Sequence, residues 1–296
     1  MKSLRIAVTG KQGQVVKSLV ERANENVVVI PVGRPEIDLM NPEGISKAFE
    51  ILAPDVIVNA AAYTMVDKAE QEPEHAQRIN ADGAESVAKA ANSLGVPLVH
   101  LSTDYVFSGA LDRPYREDDA VDPQGVYGRA KLEGERRVAS QNHNHVILRT
   151  AWVYSPFGSN FVRTMLRLGA ERAEIGVVAD QIGNPTSALD IADAIVAVAD
   201  RLVQDPSPEL RGTFHMSGVG AASWADFAEE IFKCASSLGR PPVTVRRIQT
   251  ADYPTPAKRP ANSRLDNGKL NRRYGVVLPD WRVSLVPCVE RLLSEL

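Results

Sequence analysis

A tyrosine and a lysine four residues apart, Tyr127 and Lys131, have the types and spacing for acid–base chemistry. If Tyr127 opens a helix, Lys131 lies one turn further along the same face, and an ammonium can sit beside a phenol. A free tyrosine ionises near pH ~10, so it exchanges protons poorly at neutrality unless a fixed positive charge stabilises its phenolate. Lys131 can supply that charge, although a bare Tyr-x-x-x-Lys pattern is more often an ordinary exposed helical pair. A second polar group stands upstream, where the apolar run Pro97 to Leu101 ends in Ser102-Thr103-Asp104-Tyr105-Val106-Phe107.

The elements that must position these groups alternate between short apolar strands and helices. Leu4 to Gly10 reads as a buried strand, and Gly13 to Val20 continues with helical spacing of its apolar residues. Glycines at 10 and 13 let the backbone turn tightly and approach a pyrophosphate, which the free N–H groups at the helix start then bind. An ordinary strand-to-helix turn also needs glycine. Val16 takes the place of a third glycine, which predicts slightly wider packing between helix and strand. Val27 to Val32 is the second strand, and it ends in Gly33-Arg34 instead of the acidic residue that binds ribose hydroxyls. An arginine there accommodates a 2′-phosphate, so NADPH is favoured, against the alternative of a solvated loop arginine; Asp38 meets the adenine edge or caps a helix near Pro42.

Asp55 to Asn59 is a third strand running into Ala60-Ala61-Ala62, whose small side chains let a ligand lie close to the backbone. Asp67, Lys68, Glu70 and Glu72 read as a solvated helix start, and Asn80 begins or interrupts the helix that carries Ala84, Val87, Ala88 and Ala91. Gly109 to Pro123 is a polar loop with Glu117-Asp118-Asp119 in a row, a candidate part of a substrate mouth. Val146 to Ala151 resumes the sheet, and the alternation predicts an α/β fold with a doubly wound parallel sheet of the Rossmann type. Beyond Trp152 the pattern loosens into a helix from Phe161 to Leu168, the Gly183-Asn184-Pro185-Thr186 turn and a helix through Ile191 to Val198. A strand at 213–216, a Ser223-capped helix to Ser236 and a proline-rich loop from Tyr253 to Pro260 follow. We expect residues 1–151, with 183–217 returning to them, to form the NAD(P)-binding part. Residues 152–182 and 218–296 then mainly form a smaller C-terminal substrate-binding lobe.

The chain has 296 residues, 44% hydrophobic and 24% charged, with a formal net charge of -3 and no long run of either sign, which points to a folded protein with a small-molecule ligand. Neither nucleic acid nor a membrane surface is indicated as a partner. Cys234 and Cys288 are too few and too far apart for a disulfide framework or a metal motif. His143-Asn144-His145 has no accompanying carboxylate or cysteine and reads as a polar loop; no metal is expected. The start from Met1 to Val8 is too brief for a signal peptide, and no apolar run approaches ~18 residues, so we expect a soluble cytoplasmic protein.

Gly10-Lys11-Gln12-Gly13-Gln14, Asn59-Ala60-Ala61-Ala62-Tyr63-Thr64, Ser102 to Phe107 and Tyr127-Gly128-Arg129-Ala130-Lys131 together resemble the extended short-chain dehydrogenase/reductase family. Arg149-Thr150-Ala151-Trp152-Val153-Tyr154, Asn184-Pro185-Thr186 and Arg259 to Leu265 narrow the resemblance to its reductases of dTDP-linked 4-keto-6-deoxy sugars, over nearly the whole chain. The resemblance implies reduction of a C4 ketone to give dTDP-L-rhamnose, with Tyr127 as proton donor, Lys131 binding the nicotinamide ribose and tuning Tyr127, and Thr103 in a place often held by serine. It implies cofactor contacts at Gly10, Gln12, Gly13, Gln14, Val15, Arg34, Asp38, Leu39, Ala60, Ala61, Ala62, Tyr63, Thr64, Tyr127 and Lys131, with NADPH as the cofactor and NADH as the alternative. It also places Val66, Thr103, Asp104, Tyr105, Tyr127 and Trp152 near the sugar nucleotide. Arg259, whose guanidinium suits a diphosphate in forked geometry, is a further candidate, with a surface ion pair as its alternative. Some of these reductases dimerise through a metal held by glutamates; Ser18 stands at the matching place, so a monomer or weak homodimer without that metal is expected. Two other functions share the motifs. One is a non-catalytic regulatory subunit resembling the methionine adenosyltransferase beta subunit, and the other is a nucleotide-sugar epimerase that retains NAD, against which Arg34 argues.

Overall fold

A computed structural model describes residues 3–42 and 44–295, so Met1 and Lys2 of the expected first strand region lie outside the described residues. The first half builds a sheet wrapped by helices: β1 Leu4–Thr9, α1 Gln14–Glu21, β2 Val27–Val32, α2 Ile45–Leu52, β3 Val56–Asn59, α3 Val66–Ala69, α4 Pro73–Gln77, α5 Ala84–Leu94, β4 Leu98–Thr103, α6 Val126–Gln141 and β5 His145–Thr150. A π-helical turn, Arg78–Gly83, joins α4 to α5, so Asn80 does interrupt the helix. The second half adds β6 Val153–Tyr154, α7 Phe161–Gly169, β7 Glu174–Val178, β8 Ile182–Gly183, β9 Thr186–Ser187, α8 Ala188–Gln204 and β10 Gly212–His215. It ends with β11 Ala222–Ser223, α9 Trp224–Ser237, β12 Thr244–Ile248, α10 Gly268–Tyr274 and α11 Trp281–Ser294.

Six strands pair in the order β10-β5-β4-β3-β1-β2, all parallel. The apolar runs of the inner strands β3 and β5 are buried on both faces, as a parallel sheet covered by helices requires. One core lies against α1, α8 and α10 and contains Val16, Ile191, Ile195, Leu270 and Leu278, so the segment from 268 to 278 also packs on the main sheet. The opposite face packs Phe49, Ala84, Val87 and Ala91 against Ile57 and Ile147. A separate core forms where Ile175, Phe227, Ile231, Trp281 and Leu285 meet among β7, α9 and α11. The strand β12 pairs with β7 in parallel. Strand order reverses between β1 and β3, and a ligand crevice belongs at the carboxyl ends of strands at such a point.

The edge of β10 is closed by side chains. Glu117 Oε1 accepts from His215 N at 2.8 Å and Lys269 Nζ donates to the Thr213 carbonyl at 2.7 Å, which blunts an otherwise open edge. Glu117 and Asp118 line a charged cavity of about 630 Å³ there with Arg116, Lys269 and Arg272, away from the crevice. Within the loop expected as part of a substrate mouth, Glu117 holds the sheet edge and Asp119 pairs with Arg113. The helix cap assigned to Asp38 is corrected, because α2 begins at Ile45 behind Gly44, and Asp38 instead accepts from Met40 N. Among the described residues no helix is long and apolar enough to cross a membrane.

Candidate active site

Helix α6 is held in place by three close approaches. Its N-cap, Gly125, has no capping side chain, and Glu70 Oε1 accepts the Val126 N–H at 2.8 Å instead, satisfying an orphan donor and complementing the helix dipole. A Cβ on Gly128 would lie 2.2 Å from the Tyr105 carbonyl oxygen, and one on Gly134 would lie 2.1 Å from that of Asn80. Backbone therefore rests on backbone on both sides, and Tyr127, Lys131 and Glu135 follow one another at helical spacing. Glu135 accepts from Ser102 Oγ at 2.5 Å and from Arg149 Nη2 at 2.6 Å and Nε at 2.9 Å, a buried bidentate pair.

Lys131 is 3% exposed; its Nζ donates to the Leu101 carbonyl at 2.6 Å and stands 3.5 Å from His100 Nε2. Burial pushes its ammonium down to about 8, while Glu135 pulls the other way. The Tyr127 phenol is raised by burial and is drawn back toward ionisation by the hydroxyl of Thr103. Among the described residues no hydrogen bond joins Tyr127 to Lys131. Thr103 Oγ1 donates to Asp104 Oδ1 at 3.0 Å, and burial raises the Asp104 carboxyl to about 6 against the hydroxyls of Ser263 and Thr103. The Tyr105 ring meets that of Tyr127 edge-on at 5.5 Å. A threonine hydroxyl and a phenol thus converge at the carboxyl end of β4, with a lysine of lowered proton affinity one turn behind.

Tyr127 and Lys131 open into a cleft of about 500 Å³, whose wall takes in Leu101 and Ser102 of β4 beside Thr103. Its walls include Gly10, Gln12, Gly13, Gln14, Val15, Ala60, Ala61, Ala62, Thr64, Tyr127 and Lys131. Gly10 takes φ 99°, a conformation that favours glycine, and the first N–H groups of α1 have no side-chain cap. The small residues at the β3 end and these free donors fit a dinucleotide's pyrophosphate, and the cleft is of a size for a cofactor. Arg34 and Tyr63 line an adjoining cavity of about 480 Å³ that shares Ala62 and Thr64. Asp38 and Leu39 line neither cavity; Leu39 is buried in the core against Gly83. Gln14 Oε1 also accepts from Ser155 Oγ at 2.8 Å and Asn160 Nδ2 at 3.1 Å, tying the loop of Gly158 and Ser159 over the cleft.

The expected sugar-nucleotide contacts divide. Arg259 sits beside the site but is paired, its Nη2 2.6 Å from Asp67 Oδ2 and its Nη1 donating to the Tyr105 hydroxyl at 3.2 Å. Asp67, Glu70 and Glu72 are therefore not a merely solvated helix start: they hold Arg259, the start of α6 and the Tyr63 hydroxyl. Val66 opens α3 next to Asp67 and is half-buried. Trp152, at φ 48°, stacks on Trp224 at 3.6 Å between centroids, and a Cβ on Gly183 would come within 2.5 Å of its ring. The segment after Arg259 acts as a strap, with Asn262 Nδ2 donating to the Leu111 and Arg113 carbonyls and Ser263 N donating to that of Ile182.

Sequence reasoning missed Lys11, Thr150 and Val153 on the cleft wall and Glu70 behind it. A basic residue inside the glycine turn was a readable signal for Lys11, whose Nζ reaches the Arg34 carbonyl at 3.1 Å and Glu36 Oε2 at 2.6 Å. The buried set Thr9, Asn59 and His100, linked through hydrogen bonds beneath the cleft, carried no such signal.

Residues 4–294 match the family model described as the RmlD substrate binding domain. The chain is 51% identical over 292 residues to a dTDP-4-dehydrorhamnose reductase of Sinorhizobium fredii (strain NBRC 101917 / NGR234), covering 99% of each. It is 44% identical over 300 residues to that of Escherichia coli (strain K12), covering 99% of this chain and 98% of the relative. Among solved structures, a Bacillus anthracis dTDP-4-dehydrorhamnose reductase in complex with NADP superposes with a TM-score of 0.89 at 38% identity, covering 100% of both chains.

Proposed function

The chain belongs to the RmlD substrate binding domain family, and from that premise we propose that it reduces the C4 ketone of dTDP-4-dehydrorhamnose with NADPH, giving dTDP-L-rhamnose. The observation that carries this reading is one cleft holding both the glycine turn and the Tyr127–Lys131 pair.

NADPH, when bound, supplies the hydride. Gly10, Gln12, Gly13, Gln14, Val15, Ala60, Ala61, Ala62 and Thr64 hold it along the cleft, Tyr63 backs its wall, and Arg34 with Lys11 meets the 2′-phosphate. Tyr127 donates its proton to the sugar's C4 oxygen as negative charge develops there, and Thr103 turns its hydroxyl proton from Asp104 to the same oxygen. These interactions strengthen in the transition state, and proton donation of this kind contributes about 10²–10⁴ in rate. Val66, Asp104, Tyr105 and Trp152 face the sugar nucleotide, and Arg259 exchanges Asp67 for a diphosphate oxygen. Residues 152–182 and most of 218–296 form the lobe that carries the sugar nucleotide.

The test is Tyr127→Phe. Its turnover falls about 10²–10⁴-fold while NADPH binding is retained; turnover at the wild-type rate overturns the assignment of the proton donor.

A further inference from the structure

We infer that His100 is a positioning residue for Lys131: hydrogen bonds running one way from the cleft wall fix its ring with Nε2–H toward the lysine, which poises Lys131 to gain a proton as NADPH fills the cleft. The inference rests on the reading of that cleft as the NADPH site.

The direction of the chain follows from counting donors. Ala60 N and Ala61 N donate to Thr9 Oγ1 at 3.1 and 3.0 Å and occupy both of its lone pairs. The Thr9 hydroxyl must therefore give its own proton away, and Asn59 Oδ1 accepts it at 2.7 Å. That fixes the Asn59 amide with Nδ2 toward His100 Nδ1 at 3.1 Å, so Nδ1 is the acceptor and the ring proton sits on Nε2. Turning the amide over would press three donors on one threonine oxygen and leave the hydroxyl proton without an acceptor. His100 is 1% exposed, and burial with the neighbouring Lys131 keeps it neutral.

Lys131 Nζ thus faces an N–H at 3.5 Å from His100 and the Leu101 carbonyl at 2.6 Å. A neutral amine accepts from the first and donates to the second; an ammonium meets the imidazole donor head-on. Tyr127 and Glu135 flank it on α6, and His145 of β5 faces His100. Glu135 favours the ammonium, and its carboxylate is already shared between Arg149 of β5 and Ser102. Because Ala60 and Ala61 line the cleft, the chain begins on the wall that the dinucleotide covers. The bound dinucleotide's hydroxyl and phosphate oxygens accept hydrogen bonds and favour the ammonium.

The experiment is calorimetry of NADPH binding at pH 8, in buffers of different ionisation enthalpy, which counts the protons taken up. Wild type takes up a measurable fraction of a proton per NADPH, since burial leaves its lysine only partly protonated beforehand. His100→Asn keeps an acceptor for Asn59 but has no donor at the Nε2 place, so its lysine holds the proton more fully beforehand and the uptake falls severalfold. His100→Gln returns an N–H to that place and restores the uptake. Lys131→Met leaves the chain intact and abolishes it. A merely structural role lowers affinity in His100→Asn without changing the proton count. Wild-type uptake in His100→Asn or in Lys131→Met overturns this inference alone, whereas failure of wild type to bind NADPH overturns the cofactor reading and this inference with it.

Discussion

Replacing Gly128 with alanine tests whether the close seating of α6 on the end of β4 places the tyrosine. The new Cβ would lie 2.2 Å from the Tyr105 carbonyl oxygen, against an ordinary contact of at least 3.4 Å. Backbone stands on both sides, and Pro123 lies at 2.9 Å, so relief requires the first turn of α6 to move by about 1 Å. Overpacking of this kind costs about 1–3 kcal/mol, and alanine returns up to about 1 kcal/mol of helix propensity, which leaves a net loss of about 0–3 kcal/mol. The protein therefore folds, but Tyr127, the preceding residue, is displaced from the ketone. A displacement of about 1 Å costs on the order of 10²-fold in rate. The assay is steady-state NADPH oxidation with the dTDP-linked keto sugar, beside chemical denaturation and NADPH binding. A Gly128→Ala enzyme with wild-type turnover refutes the claim that this contact positions the phenol.

Glu135→Gln leaves the Arg149 guanidinium buried without its counter-charge, and urea denaturation should show a loss of about 3–5 kcal/mol. Asp104→Asn acts in the opposite sense. Burial raises the folded carboxyl to about 6 from an ordinary 3.8, so between those values the folded chain holds a proton that the unfolded chain has released. Stability from this group is highest below the unfolded value, falls as pH rises to about 6, and is level beyond; the variant should gain up to about 3 kcal/mol over wild type at pH 7 and nothing at pH 4. Lys11→Ala removes a charge beside the Arg34 loop, so NADPH affinity should fall about tenfold or more while NADH affinity changes little, as read by fluorescence titration.

Local spacing made the centre of the site legible. Tyr127 and Lys131 share a helix, and the glycine turn joins adjacent elements, so both follow from short-range rules. The groups that hold them do not: Glu70 caps α6 across 56 residues and His100 meets Lys131 across 31, distances over which no periodicity connects residue types. Strands β1 to β5 were readable because each carries a short apolar run. Strand β12 was not, because its Thr244-Val245-Arg246-Arg247-Ile248 is exposed on one face and gains its meaning from pairing with β7. Of the segment Arg259 to Leu265 only Arg259 carried a physical role in the sequence; the role of the rest appears when Asn262 and Ser263 are seen lacing the loop near Gly109 to β8.

Reduction of a 4-keto sugar nucleotide in this cleft is measured directly as the product formed when NADPH and dTDP-4-dehydrorhamnose are mixed with the protein. One NADPH is oxidised per sugar reduced, with dTDP-L-rhamnose identified by mass and sugar NMR. Recovery of unreduced keto sugar with NADPH still bound and unoxidised would contradict it.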